Sequence, residues 1–191
     1  LKSPKLWATI ASFLLLAVTV TVTQHLAAHF VSVGFSAVIA GVFMSVISAG
    51  IIVTNPLAGV LSDKMGLMKA FLLCSALYLV SFILLPSTGS IAIICVGLLL
   101  MSIGNANTSV FAPMMTGSIF GQRDYAAIWG LVSMACVLGQ AIGAPLWGLA
   151  YDLTGGYAIG MYISAVVVAT AFVILVVAQR ADTRTAIESE V

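Results

Sequence analysis

The sequence predicts an all-α membrane protein of six transmembrane helices, arranged as two inverted three-helix repeats. Three observations lead there. Of 191 residues, 62% are hydrophobic and 7% charged, against about 45–50% apolar and about 25% charged in a soluble domain. The few charges bound long apolar stretches, each of which can be measured in membrane spans. An undecapeptide, Pro-Leu-x-Gly-x-x-x-Asp-x-x-Gly, occurs from Pro56 to Gly66 and again 89 residues later from Pro145 to Gly155, the mark of one structural module used twice.

No Lys, Arg, Asp or Glu lies between Lys5 and Asp63, Lys69 and Arg123, Asp124 and Asp152, or Asp152 and Arg180. A helix crosses a bilayer with about 20 apolar residues at about 1.5 Å rise each. The first two stretches therefore hold two helices each, and the last two hold one each. Turn chemistry at Ser32-Val33-Gly34-Phe35-Ser36 and at Pro86-Ser87-Thr88-Gly89-Ser90 divides the double stretches. The expected spans are 6–31, 36–58, 69–86, 90–116, 125–151 and 157–179, with 180–191 a short, polar, disordered tail.

Orientation follows from the basic residues, which are retained on the cytoplasmic side. With six spans, one face carries Lys2, Lys5, Lys64, Lys69, Arg123, Arg180 and Arg184, every basic residue in the chain. Both termini are expected in the cytoplasm, with Asp152 on the opposite face. Three spans separate the two undecapeptides, an odd number, so the copies face opposite sides and the repeat is inverted.

Several function classes fall away. A net charge of +1 offers nothing to nucleic acid. Cys74, Cys95 and Cys136 lie inside spans and read as small packing residues. The first apolar stretch is too long for a signal peptide and lacks a small-residue cleavage site. His25 and His29 are the only histidines, too few for a zinc site, which takes at least three protein ligands. No His-Glu-x-x-His, Gly-x-Ser-x-Gly or in-span carboxylate pair supports an enzyme, and no cofactor is implied.

Within the undecapeptide, proline ends or kinks a helix, Gly59 or Gly148 admits a neighbouring backbone, Asp63 or Asp152 can cap the next helix, and Gly66 or Gly155 makes the turn. From Gly59 to Gly66, with Lys64 and Lys69, the sequence resembles the loop signature of the major facilitator superfamily. In the fifth span Gly130, Gly139, Gly143, Pro145 and Gly148 are similar to that family's glycine-proline helix, with Ala144 inserted before the proline. The segments 24–29, 120–125 and 148–157 resemble the bacterial oxalate/formate antiporter and monocarboxylate transporter branch.

The resemblance implies helices seven to twelve of a twelve-helix secondary transporter in a bacterial inner membrane. Its partners would be a small solute, the lipid bilayer and an N-terminal six-helix half. Leu1 is not an initiator methionine, so a fragment is expected; a homodimer would rebuild the pathway if the chain were complete. The resemblance also implies a cytoplasmic gate at Gly59, Asp63, Lys64, Gly66 and Lys69, and helix packing at Gly139, Gly143, Pro145 and Gly148.

Polar residues in helical register should face a cavity or another helix instead of lipid. Such stripes occur in the first span (Thr21, His25, His29, Ser32), the second (Ser45, Ser48, Asn55), the fourth (Ser102, Asn105, Ser109) and the fifth (Trp129, Ser133, Cys136, Gln140). For an isolated Ser or Thr, interhelical bonding is the better reading, worth about 0.6 kcal/mol. His25, Asn105 and Gln140 are costlier to bury; with Gln24 and Trp129 they are the candidate substrate pathway. Imidazoles ordinarily titrate near neutral pH, so His25 is read as a hydrogen bonder or proton acceptor. Members of the branch place a buried cation in helix eight or eleven, yet spans two and five hold none. Either the cation lies in an N-terminal half, or the solute is neutral or zwitterionic. The expected function is transport of a small organic solute, an organic anion by resemblance; a non-transporting sensor or scaffold is the alternative.

Overall fold

A computed structural model describes residues 4–86 and 90–188. Within them, six helices are long and apolar enough to cross a membrane: Pro4–Ser32, Ala37–Met65, Leu67–Leu84, Ile91–Phe120, Tyr125–Thr154 and Ala158–Val177, hereafter the first to sixth. No strand occurs among the described residues. Large apolar side chains such as Val38, Ile52 and Leu153 are exposed, as expected where the surrounding solvent is hydrocarbon.

Two helices carry internal irregularities with local causes. The first breaks at Thr21 into Pro4–Val20 and Val22–Ser32. There the hydroxyls of Thr19, Thr21 and Thr23 donate to Leu16 O (2.8 Å), Val18 O (2.6 Å) and Val20 O (3.0 Å), and such back-bonding bends helices. The fourth widens into a π turn at Asn107–Phe111. Pro113 follows after Ala112; its ring crowds the carbonyl four residues back and its missing N–H leaves that rung open.

Both copies of the undecapeptide carry their helix beyond the expected span end, far beyond at the second helix and by less than a turn at the fifth. The second helix does not end near residue 58 but runs through Pro56 to Met65, and the fifth runs through Pro145 to Thr154. A proline deletes one rung, which a long apolar helix held by neighbours tolerates. Asp63 and Asp152 therefore stand in the last turns of their own helices. Asp63 does not cap the next helix: the cap position is Gly66, with no side-chain hydrogen bond. Only the final glycine lies outside each helix, at φ 89° in Gly66 and 71° in Gly155, a region costly for any residue with a Cβ. The sixth helix continues without a break to Glu188, so the segment expected as a disordered tail begins as a helical extension, in keeping with its Ala and Arg content.

The first helix packs chiefly on the fifth and the sixth, the second on the fourth, and the third on the fourth and the sixth. Glycines set the closest crossings. A Cβ at Gly139 would strike the Leu14 carbonyl, and one at Gly143 would come within 2.6 Å of Val18 O; at Gly50 it would meet Ser102. Edge-on aromatic contacts fill the centre, with Phe71 against both Phe13 (6.2 Å) and Phe111 (5.6 Å). The buried Tyr78 hydroxyl donates to Thr19 Oγ1 at 3.3 Å.

Candidate functional site

Two polar crossings are built where a helix passes the residue before a repeat proline. At the first, His25 from the first helix places Nε2 3.1 Å from the carbonyl of Ala144, which precedes Pro145. A carbonyl only accepts, so in this bond Nε2 is the donor. Tyr157, in the turn before the sixth helix, stands between the two histidines, 5.8 Å from the His25 ring and 6.0 Å from that of His29, and 4.8 Å from Tyr151. Burial, then the nearby Tyr151 and Asp152, push the Tyr157 phenol above its ordinary pKa. His29 is buried beside the Leu85 carbonyl, yet neither ring nitrogen meets a partner in hydrogen-bonding geometry.

At the second crossing, Asn55 precedes Pro56 and meets the fourth helix. Its Nδ2 donates to Asn105 Oδ1 at 3.5 Å. Ser109 lies one turn further on, its hydroxyl 2.8 Å from Asn105 O, 3.2 Å from Asn105 Oδ1 and 3.4 Å from Asn55 Oδ1. Thr54 adds a bond to Ser102 O at 3.2 Å. Asn55 and Asn105 are half-buried and Ser109 is exposed, so the cluster opens to one side of the bundle. The adjoining π turn buries Asn107 completely; Ser75 donates to its Oδ1 at 3.3 Å, while its Nδ2 has no partner.

The remaining pathway candidates divide differently. Gln24 and Gln140 are exposed and their side chains make no hydrogen bond among the described residues, while Trp129 is half-buried against the core. None of the three shares a hydrogen bond with His25 or Asn105. Several stripe hydroxyls, including Ser45, Ser48 and Ser133, bond carbonyls of their own helix (3.0–3.1 Å). Of the gate residues, Asp63, Lys64, Gly66 and Lys69 are exposed at a tight corner, with Gly66 alone between the second and third helices. Gly139 and Gly143 hold the seam between the first and fifth helices, whereas a Cβ at Gly59 or Gly148 would meet nothing; those two face space that the described residues leave open.

The sequence reading did not single out Asn107 or Tyr157. Asn107 had a usable signal, as a carboxamide at mid-span; Tyr157 stands at the very start of the last expected span and is joined to His25 and His29 only by the fold. Among the described residues no group of three His, Cys, Asp or Glu side chains could hold a metal ion. An open pocket of about 580 Å³ with a mainly apolar wall lies beside the connection between the fourth and fifth helices, lined by Leu67, Pro113 and Met114 as well as Ser118, Gln122 and Tyr125.

A family model described as Major Facilitator Superfamily matches residues 6–190. A search of curated proteins found no match to the chain.

Proposed function

The chain belongs to the Major Facilitator Superfamily, and from that premise we propose that it is one six-helix half of a secondary transporter that moves a small organic solute by alternating access. The observation that carries this reading is the family match across six apolar helices from residue 6 to 190. Members of the family are transporters, and the chain is not an enzyme.

The bundle supports an inverted repeat: the first helix packs on the fifth as the fourth packs on the second, and the sixth on the first as the third on the fourth. Substituting first for fourth, second for fifth and third for sixth reproduces the same neighbours. In this reading Gly59 and Gly148 face a second six-helix unit, the N-terminal half of the same protein or a second copy.

The solute is an organic anion such as a monocarboxylate, formate or oxalate. His25, Asn105, Gln24, Gln140 and Trp129 border its path, and Asp63, Lys64 and Lys69 belong to a gate on the cytoplasmic face, where both termini lie. The exposure of these gate side chains at a one-residue corner supports contacts that form and break between states. The test is uptake by the full-length protein in proteoliposomes, screening formate, oxalate, lactate, sugars and amino acids with and without a pH gradient. Saturable uptake of an acid supports the proposal. Solute binding in detergent without flux would favour a sensor that kept the fold and lost transport.

A further inference from the structure

His29 closes the buried part of the first helix: it is 3% exposed, and the four residues after Phe30, from Val31 to Gly34, are all exposed. Neither of its ring nitrogens has a hydrogen-bond partner among the described residues. A phenylalanine would fill such a seat with no polar atom to desolvate, whereas an imidazole there carries a cost that packing does not return. An ionisable side chain kept inside a membrane helix at a cost is a mark of function. We infer that His29 is a proton-binding site, and that protonation of its imidazole releases the segment Val22–Ser32 from the bundle.

Three neighbours define the seat. The Phe30 ring lies 5.4 Å from the imidazole, the Tyr157 ring stands edge-on to it at 6.0 Å, and the Leu85 carbonyl lies beside it. A neutral imidazole carries one N–H, which a single carbonyl can accept. An imidazolium carries two N–H donors and no acceptor, and two aromatic rings with one carbonyl do not serve both. The charged ring is better served by water, which the exposed turn brings within four residues. Acid therefore favours the released segment and alkali the seated one.

The segment is built to move by itself. The break at Thr21 separates it from Pro4–Val20, and beyond the His29 seat it is held by packing on the second and fifth helices and by the His25 bond to Ala144 O. That bond is indifferent to acid, because Nε2 is its donor and a proton added at Nδ1 leaves the donor in place. The titratable groups around the seat are His25 on the same helix, Tyr157 before the sixth, and Tyr151 and Asp152 at the end of the fifth, which act on Tyr157. Neither 36–44 in the second helix nor 79–86 in the third carries a titratable side chain. The role given to this release, admitting solute at the outer corner, rests on the alternating-access reading above; the protonation and the release do not.

The test is amide hydrogen exchange of the full-length protein in lipid nanodiscs, read by mass spectrometry at about pH 5.5 and about pH 7.5, either side of the ordinary histidine value of about 6.5. Rates are divided by the intrinsic exchange rate at each pH, and peptides from 130–143 in the fifth helix serve as the internal reference. In the wild type, protection of 22–32 relative to that reference should be at least about threefold lower at the acid pH. His29→Phe, which fills the seat, and His29→Gln, which is polar but takes no proton, should show equal protection at both; either variant suffices if the other fails to fold. His25→Gln should keep the acid effect. Equal protection at both pH values in the wild type, or an acid effect that survives in the folded His29 variants, would overturn the proposal. Loss of the effect in His25→Gln alone would move the proton to His25 and overturn it as well. No solute enters this measurement, so its failure leaves the transport reading standing, while absence of uptake in proteoliposomes would overturn that reading and leave the proton site.

Discussion

The two copies of the undecapeptide fold alike and end differently. In each, a proline sits inside the helix, an exposed Asp occupies the last turn, and a glycine at positive φ stops the helix. After Gly66 the third helix starts at once, with Lys64 and Lys69 beside it; after Gly155 the chain takes Gly156 and Tyr157 before the sixth helix. Tyr157 then lies over Tyr151 and between His25 and His29. The shared backbone is a stop signal, and the residues around it decide whether the corner is charged and open or aromatic and packed.

The glycines of the module give the largest contrast. Gly143→Val drives side-chain atoms into the Val18 backbone, and overpacking of this kind costs at least about 1–3 kcal/mol; the yield of folded protein in detergent should fall severalfold. Gly59→Ala and Gly148→Ala meet nothing within the six-helix unit and should lower the yield less than Gly143→Val does. Equal losses at all three positions would erase the distinction between closed and open seams.

Charge comes next. Asp63→Asn should slow initial uptake about tenfold, on the order of 1.4 kcal/mol of lost state stabilisation, with normal expression, whereas Asp152→Asn should stay within about twofold. Normal uptake by well-expressed Asp63→Asn would remove the gate. His25→Ala deletes one interhelical bond, worth about 0.6 kcal/mol on average in membranes, so melting should shift little while KM or the pH profile of uptake changes. An unaltered profile between about pH 5 and 8 would take His25 off the pathway.

Tyr157→Phe should have the smallest effect, because it keeps the ring contacts. Its phenol holds its proton more tightly folded than unfolded, so the wild type should lose a little stability as pH rises past the ordinary tyrosine value of about 10. The Phe variant should lack that alkaline step; an identical alkaline melting profile in both would show that the phenol is not held in its neutral form.

Much of this was legible because charge is so scarce. With no Lys, Arg, Asp or Glu between Lys5 and Asp63 or between Lys69 and Arg123, the spans and their breaks could be counted directly. Helix ends were less legible: the expected spans end at 58 and 151, whereas each proline removes only one rung and the glycine ten residues later does the stopping. Of the site, His25 and Asn105 stood out as costly polar groups in apolar helices. Their partners did not, because Ala144 contributes only a backbone carbonyl, and Asn55 looked like one more member of a polar stripe until Asn105 was found against it. The open face at Gly59 and Gly148 had no signal either: a glycine that admits a neighbour and one that faces space are the same letter.

The inversion of one module across the membrane is tested most directly at Met65 and Thr154, matched positions 89 residues apart and both exposed at their helix ends. Met65→Cys and Thr154→Cys, placed singly in the full-length protein, are treated in intact cells with a membrane-impermeant maleimide and again after permeabilisation. The prediction is that the Thr154→Cys protein is labelled in intact cells and the Met65→Cys protein only after permeabilisation. Labelling of both variants from the same side would contradict it.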